Sequence, residues 1–398
     1  MNGAVLVLNT GSSSIKFTLF DTGAGRQQPD RLCEGQITTS GGGVHLRAND
    51  VAGRTLLERE LPAGDDHAAT LQTLLDWLAQ TFAGLPLLAA AHRVVHGGAR
   101  YIAPTIIDAG VLAELRRLIP LAPLHQPHAI AAVEALQHSH PSLMQIACFD
   151  TAFHHTMPEV ETHFALPRAL TGAGLRRYGF HGLSYEYIAG TLPSMLGAEL
   201  AAGRVIVAHL GAGASLCALQ AGRSIATTMS LTPLDGLTMG SRCGSLDPGT
   251  VLYLLQEKGM SVAAVADMLY HDSGLLGVSG ISADMQTLLS SAAPNAAEAI
   301  DLFVYRIVRE IGALAAVLGG LDVLVFTAGI GEHSAPIRRR VCDGMAWLGM
   351  AIDASANAAG GPRISRPDSA VSAWVIATDE DGMIMRHSRR LLGLGSHR

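Results

Sequence analysis

The residues of this chain whose types and spacing could do chemistry fall into a few short glycine-rich segments. Near the N-terminus Leu8-Asn9-Thr10-Gly11-Ser12-Ser13-Ser14 joins two apolar runs, with Lys16 in the second. His209-Leu210-Gly211-Ala212-Gly213-Ala214-Ser215 repeats that design much farther along. Glycine permits φ > 0 and close backbone approach. A strand pair joined by such a turn points several N–H groups at one spot, which suits an anion. Either turn alone is equally an ordinary tight hairpin. Two of them in one chain could grip one polyphosphate from both sides.

Five further segments carry charge. His92-Arg93-Val94-Val95-His96-Gly97-Gly98 ends a strand with an arginine, which binds carboxylate or phosphate bidentately. Arg176-Arg177-Tyr178-Gly179-Phe180-His181-Gly182 sets a histidine among glycines, where it could hold a developing phosphoryl oxygen or act in acid–base work. The loop Leu231–Gly249 is rich in turn formers, yet its apolar content argues for order, and Arg242 within it could reach into a cleft. Asp150 at a strand tip and Asp379-Glu380-Asp381 after another strand are hard carboxylates that suit Mg²⁺. An acidic triplet by itself is more often a solvated turn. His154, His155 and His163 lack zinc-site spacing and read as structural, and no Walker A pattern occurs. The set of parts matches what phosphoryl transfer requires: positioning, metal, and positive charge around the moving group.

Strands and helices must deliver these side chains. Residues 1–60 read as β hairpins separated by glycine clusters, notably Gly41-Gly42-Gly43. Helical periodicity marks Ala68–Phe82, Val111–Leu118, Ala129–Leu136, Thr250–Glu257, Val262–Tyr270 and Ala296–Leu318. Leu87–Val95, Leu143–Phe149, Val323–Phe326 and Ala373–Ala377 read as buried strands, and a last helix runs to about residue 392. Leu324–Gly329 echoes Ile146–Ala152, each a buried strand with a small polar tip. Each half therefore runs hairpins, helices, then a strand with a functional-looking end. The expectation is two related α/β domains facing a cleft, with a hinge near Asp150–Phe153 and ligands at strand ends.

The chain has 398 residues and a net charge of −6, with 48% hydrophobic and 16% charged residues. The length allows two or three domains with sizeable cores, and the acidic balance argues against a nucleic-acid binder. Five scattered cysteines without a CxxC pair read as reduced thiols, which suits the cytoplasm. No signal peptide is expected. The apolar stretch Ile311–Gly331 reads as a buried helix ending at Gly319-Gly320 followed by a strand, not as a membrane span.

The segments Leu8–Lys16, His92–Gly98, Leu121–His125, Phe149–His154, Arg177–Gly182, Leu231–Gly249, Gly277–Ser282 and Thr327–Glu332 resemble the acetate kinase family, in the family's order and over nearly the whole chain. The resemblance implies duplicated ribonuclease-H-like domains, the fold of actin and sugar kinases, around a central cleft. It implies an acyl-substrate domain at 1–150, joined by a C-terminal helix at 382–398, and a nucleotide-binding and dimerisation domain at 151–381. The implied reaction is reversible transfer from ATP to acetate, giving ADP and acetyl phosphate, with Mg²⁺ (replaceable by Mn²⁺). Catalytic roles fall on Arg93, Asp150, His181 and Arg242. Asn9, which would also contact phosphate, and Glu380 stand on the metal side. Arg93, Val95, Leu124, Phe180 and Pro233 would bind the acyl substrate. The nucleotide would take Lys16, His209, Leu210, Gly211, Ala212, Gly213, Asp284, Met285, Gln286, Gly329, Ile330, Gly331, Glu332 and His333. A cytoplasmic homodimer is implied, with no nucleic-acid or membrane partner.

Some positions depart from the family pattern. Ala212 stands where Asn is frequent, Gln286 where Arg is common, His333 for a usual Asn, and the acidic triplet is Asp-Glu-Asp. These bear on nucleotide affinity and base preference more than on the reaction. Propionate or butyrate kinase activity is the close alternative, and Val95 favours a pocket sized for acetate. A chaperone-like ATPase would need a partner-binding extension, and an acetyl phosphate hydrolase would use the same residues.

Overall fold

The computed structural model describes residues 3–11, 14–23, 29–40, 43–61 and 67–394. Ser12, Ser13, Gly41, Gly42 and the far end of the last expected helix lie outside the described residues. The chain divides into two compact units, Met1–Ala152 with Asp379–Arg398, and Phe153–Thr378. The acidic triplet, assigned from the sequence to the second domain, thus belongs to the first unit.

The first unit is built on an eight-stranded sheet. Its strands are β1 (Ala4–Thr10), β2 (Ser14–Asp21), β3 (Asp30–Ser40), β4 (Gly43–Asp50), β5 (Thr55–Leu61), β6 (Leu87–Val94), β7 (Thr105–Ile106) and β8 (Met144–Phe149), in the order β5-β4-β3-β2-β1-β6-β8-β7. β1 to β5 form antiparallel hairpins, whereas β6 runs parallel to both β1 and β8. β2 alternates, with Ile15, Phe17 and Leu19 in the core and Lys16 exposed. Val5, Leu6, Val7 and Leu8 of β1 are all fully buried, as a central strand covered on both faces requires. The helices His67–Thr81 and Gln126–Ser139 supply Leu71, Leu74, Leu75, Leu78, Ala132 and Leu136 to this core. The final helix, Glu380–Leu391, packs on β1, β6 and β8.

The second unit repeats that plan. Its sheet joins β9 (Arg204–Leu210), β10 (Ala214–Gln220), β11 (Arg223–Thr227), β12 (Val323–Thr327) and β13 (Ser372–Val375) in the order β11-β10-β9-β12-β13. β9 to β11 are antiparallel, and β12 lies parallel to β9 and β13. This is the order and direction of β3-β2-β1-β6-β8, so the duplication expected from the sequence echo is present in the strand topology. The 25-residue helix Pro294–Leu318 packs on β9, β10 and β11 and ends at Gly319, whose φ of 71° makes a left-handed C-cap. Among the described residues no helix is long and apolar enough to cross a membrane. The helix Gly182–Leu196 was not foreseen. Its Gly182, Gly190 and internal Pro193 weaken the helical signal, but Tyr185, Ile188 and Leu192 bury one face against β9 and β10 residues.

Candidate active site

In the first unit, parallel strands β6 and β8 end side by side, and their C-terminal tips carry the charged groups. Val94 pairs with Phe149, and the Asp150 N–H donates to Val94 O at 3.1 Å. This register sets Arg93 beside Asp150. Arg93 Nε donates to both carboxylate oxygens at 3.0 and 3.1 Å, and Nη2 donates to Oδ2 at 2.7 Å. Glu380 Oε2 lies 3.4 Å from Nη1. Burial pulls Arg93 toward the neutral form, but Asp150 and Glu380 outweigh it and hold the guanidinium above its usual range. The turn behind it is fixed by Gln126, which accepts from the His96 N–H at 3.2 Å and donates to His96 O at 3.0 Å. Gly97 is required there, because a Cβ would stand 2.5 Å from Tyr101 O and 2.9 Å from the Phe149 ring.

The acidic triplet divides its work. Asp379 accepts from Arg31 Nη2 at 2.8 Å and from the Gly382 N–H at 2.9 Å, and so caps the final helix. Asp381 accepts from Thr18 Oγ1 at 2.7 Å. With its neighbours fastened to the fold, Glu380 faces Arg93 at the looser distance. Asn9 pairs in register with Lys16 across the β1–β2 hairpin. Lys16 lines a cavity of about 480 Å³ with Thr18, Gln36, Arg47, Asn49 and Asp381. Val95 and Leu124, expected in the acyl pocket, are half-buried in this unit.

In the second unit a different set converges on the β9–β10 turn. The Gly211 N–H donates to Gly213 O at 3.0 Å, closing the turn tightly. A Cβ at Gly213 would stand 2.9 Å from Arg242 Nη2 and 3.3 Å from His181 Nε2, so both side chains reach the turn that the sequence marked as a phosphate holder. Arg242 Nη1 donates to Pro233 O at 2.7 Å. The loop around Arg242 is ordered by backbone bonds: Met239 N–H to Arg242 O, Gly240 N–H to Ala212 O, Cys243 N–H to Leu269 O and Leu275 N–H to Met239 O, all within 2.8–3.1 Å. His181 has φ 58° and ψ 24°, a left-handed conformation at the start of the helix Gly182–Leu196. Its Nδ1 lies 2.8 Å from Ser215 Oγ, and its ring stacks on His209 with centroids 4.2 Å apart. Phe180 and Pro233 are buried in this unit.

Beside that turn lies a cavity of about 600 Å³. Its wall brings together Gly211, Ala212, Asp284, Met285, Gln286, Gly329, Ile330 and His333, all expected to bind nucleotide. Ala283, Leu289, Ser334 and Pro336 line it too and went unforeseen. Asp284 caps the short helix Met285–Leu289 by accepting from the Thr287 N–H at 2.7 Å, and these bonds hold its carboxyl below the usual range.

Other expected nucleotide residues sit behind the wall. Leu210 is fully buried in the core, and His209 Nδ1 meets Ser184 Oγ at 2.9 Å. Glu332 turns back on its own helix, accepting from the Ala328 N–H at 2.7 Å and the Thr378 N–H at 3.2 Å. The sequence reading missed Arg338, which is 1% exposed and donates to Gly331 O at 3.0 Å, Glu332 O at 2.7 Å and both oxygens of Asn357. It ties down the far end of the helix Ala328–His333 that carries Gly329, Ile330 and His333. As the first of three consecutive arginines, Arg338-Arg339-Arg340, it carries no sequence signal that sets it apart from its exposed neighbours.

A duplicated α/β fold of this kind, with an arginine and a histidine at a glycine turn beside a nucleotide-sized cavity, is the equipment of an ATP-dependent phosphotransferase. The chain belongs to the acetokinase family, whose model matches residues 4–386. It is 59% identical over 393 residues to an acetate kinase of Rhodopseudomonas palustris, covering 98% of this chain and 99% of that protein. It is 47% identical over 391 residues to an acetate kinase of Rhizobium meliloti, covering 98% of each. Among solved structures, a propionate kinase from Francisella tularensis subsp. tularensis has a TM-score of 0.90 at 35% identity, covering 97% of this chain and 98% of that one. An acetate kinase from Porphyromonas gingivalis has a TM-score of 0.86 at 36% identity, covering 98% of this chain and all of that one.

Proposed function

We propose that this chain transfers a phosphoryl group reversibly between ATP and acetate, forming acetyl phosphate and ADP by direct in-line displacement, in the cytoplasm and as a homodimer. The observation that carries this is the convergence of Arg242 and His181 on the β9–β10 turn, next to the cavity walled by Gly211, Ala212 and the 283–289 and 329–336 segments. A nucleotide seated there would have its phosphates at the turn.

The reaction needs little from a base. The acetate carboxylate is already a nucleophile, so its oxygen forms the new P–O bond while the bond to the ADP oxygen breaks. The difficulty is that two anions must meet, and positive charge offsets it. Arg93, held charged between Asp150 and Glu380, is assigned to the acetate carboxylate, with Asp150 fixing its plane. Arg242 and His181 are assigned to the oxygens of the moving phosphoryl group. Val95, Leu124, Phe180 and Pro233 are assigned to the acetate methyl. Two hard carboxylates at one guanidinium, with the Asn9 amide on a neighbouring strand, suit Mg²⁺, which takes one or two carboxylates and completes its shell with water and phosphate. Glu380, Asp150 and Asn9 would hold that ion, which would neutralise charge on the nucleotide phosphates.

Purified protein with MgATP and acetate, propionate or butyrate, with acyl phosphate trapped by hydroxylamine, tests this reading. The highest kcat/KM is expected with acetate. A preference for propionate or butyrate overturns the pocket assignment, and no acyl phosphate from any acid overturns the reaction.

A further inference from the structure

The helix that begins at His181 returns two hydroxyls to the histidine pair. Ser184 Oγ meets His209 Nδ1 at 2.9 Å. Tyr185, fully buried, places its hydroxyl 2.5 Å from Ser215 Oγ, which in turn lies 2.8 Å from His181 Nδ1. Both imidazoles of the stack are therefore engaged at Nδ1, and His181 presents Nε2 to the Gly213 turn. The charged and titratable groups placed at His181 include Tyr185 on its own helix, His209 on β9 and Arg242 on the loop.

We infer that Tyr185 and Ser215 are positioning residues that fix His181 as its Nε2–H tautomer. Ser215 has a single hydroxyl proton to share between two neighbours. A phenol is far more acidic than an alcohol and so is the better donor of the pair. With Tyr185 donating to Ser215, the serine proton goes to His181 Nδ1, and the ring proton is left on Nε2. In the opposite order His181 Nδ1–H donates to Ser215 and Nε2 turns a lone pair toward the turn. That lone pair would repel a phosphoryl oxygen, whereas an N–H there donates to it. Arg242 supplies the positive charge, and the imidazole is a pre-aimed donor. The left-handed backbone at His181 keeps the ring at the head of the helix that carries Tyr185, so one element sets both ends of the relay. The catalytic part of this inference rests on the proposed function; the tautomer does not.

The test is ¹⁵N NMR of the full chain labelled at histidine, at roughly pH 9, well above the ordinary imidazole value, with the His181 signals assigned by their loss in His181→Gln. The expected result is a protonated Nε2 and an unprotonated Nδ1. A wild-type Nδ1–H tautomer overturns the inference without any variant. Tyr185→Phe and Ser215→Ala should each give mixed tautomers and lower kcat by at least roughly tenfold, with KM for ATP within about twofold. A Ser215→Ala protein with wild-type kcat overturns the positioning role. A wild-type protein that forms no acyl phosphate but has the Nε2–H tautomer rejects the proposed reaction and leaves the relay standing.

Discussion

Aligned by pairing register, the strand ends of the two units can be compared residue by residue. Asn9 pairs with Lys16 one step before the first turn closes, and His209 pairs with Ser215 at the same step of the second. Arg93 follows His92, the partner of Leu8, and Thr327 follows Phe326, the partner of Ala208. Asp150 stands three residues past Ala147, and Thr378 three past Val375, the strand partners of His92 and Phe326. Lys16, Arg93 and Asp150 in one unit thus answer to Ser215, Thr327 and Thr378 in the other. One duplicated frame has ions at one set of tips and hydroxyls at the other. The ionic set locks a guanidinium between carboxylates, which suits the binding of a carboxylate. The hydroxyl set leaves backbone N–H groups and oriented imidazoles, which suit the phosphates of a nucleotide.

The sharpest way to break this contrast is to remove one arginine from each unit. Arg93→Ala and Arg242→Ala are each expected to lower kcat by at least roughly 10²-fold, the scale of losing a donor to transition-state charge. Their effects on stability should differ. Arg93→Ala leaves the Asp150 side chain, 3% exposed, without its guanidinium, and such losses cost about 3–5 kcal/mol. Arg242 donates to the neutral Pro233 carbonyl in a loop already held by backbone bonds, and losing that hydrogen bond costs about 0.5–1.5 kcal/mol. Urea unfolding alongside steady-state kinetics reads both quantities. Near-normal kcat in Arg242→Ala sinks its catalytic assignment, and equal stability of the two variants sinks the contrast.

Below the tips the units are alike, and acid should reveal it. His92 Nε2 donates to Gln145 Oε1 at 2.8 Å, and His154 bridges Ser224 Oγ and Phe180 O at 2.8 and 2.9 Å. Burial pushes each imidazole from its ordinary value of 6.5 down to about 4. Because the folded value is depressed, the unfolded chain binds more protons between these limits, and stability must fall as pH drops from about 6.5 to about 4. The loss is largest below about 4, at up to roughly 3 kcal/mol per histidine. Urea midpoints measured across that window should slope downward with acid. A flat profile would contradict neutral burial of these rings.

Much of this was legible because the hydrophobic pattern is strong. Leu87–Val94, Met144–Phe149 and Val323–Thr327 are mostly apolar strands with polar residues at or just past their C-terminal ends, and the 25-residue helix carries a clear stripe ending at glycine. His181 and Arg242 stood out because glycines flank them, and Arg93 because its strand runs on into Gly97-Gly98. The helix Gly182–Leu196 did not, since two glycines and Pro193 mask its period, and with it went any view of Tyr185. Glu332 and Arg338 show another limit. Both lie in or beside a nucleotide-like motif, yet one carboxylate folds onto Ala328 and Thr378 while the buried guanidinium clamps backbone carbonyls. Residue type and spacing reveal that a segment is special, but they do not separate wall from scaffold, which depends on where each side chain turns.

The smallest expected effect probes the neutral set directly. Ala212 lies exposed on the β9–β10 turn and on the wall of the 600 Å³ cavity, so a larger side chain there has room. Nearby Gly240 donates to Ala212 O at 3.1 Å, a backbone bond that a side-chain change leaves intact. Ala212→Asn would add an amide donor where the turn now offers only backbone N–H groups. One added hydrogen bond contributes about 0.5–1.5 kcal/mol, so KM for ATP should fall by roughly two- to tenfold with kcat little changed. KM for acetate should stay within about twofold, because the acyl carboxylate is assigned to the ionic set around Arg93. Titrating ATP and acetate separately in the variant distinguishes the two. If acetate affinity moves while nucleotide affinity does not, the division of labour between ionic and hydroxyl tips is wrong. If neither moves, the turn's backbone already satisfies the phosphate, and the departure at residue 212 is neutral.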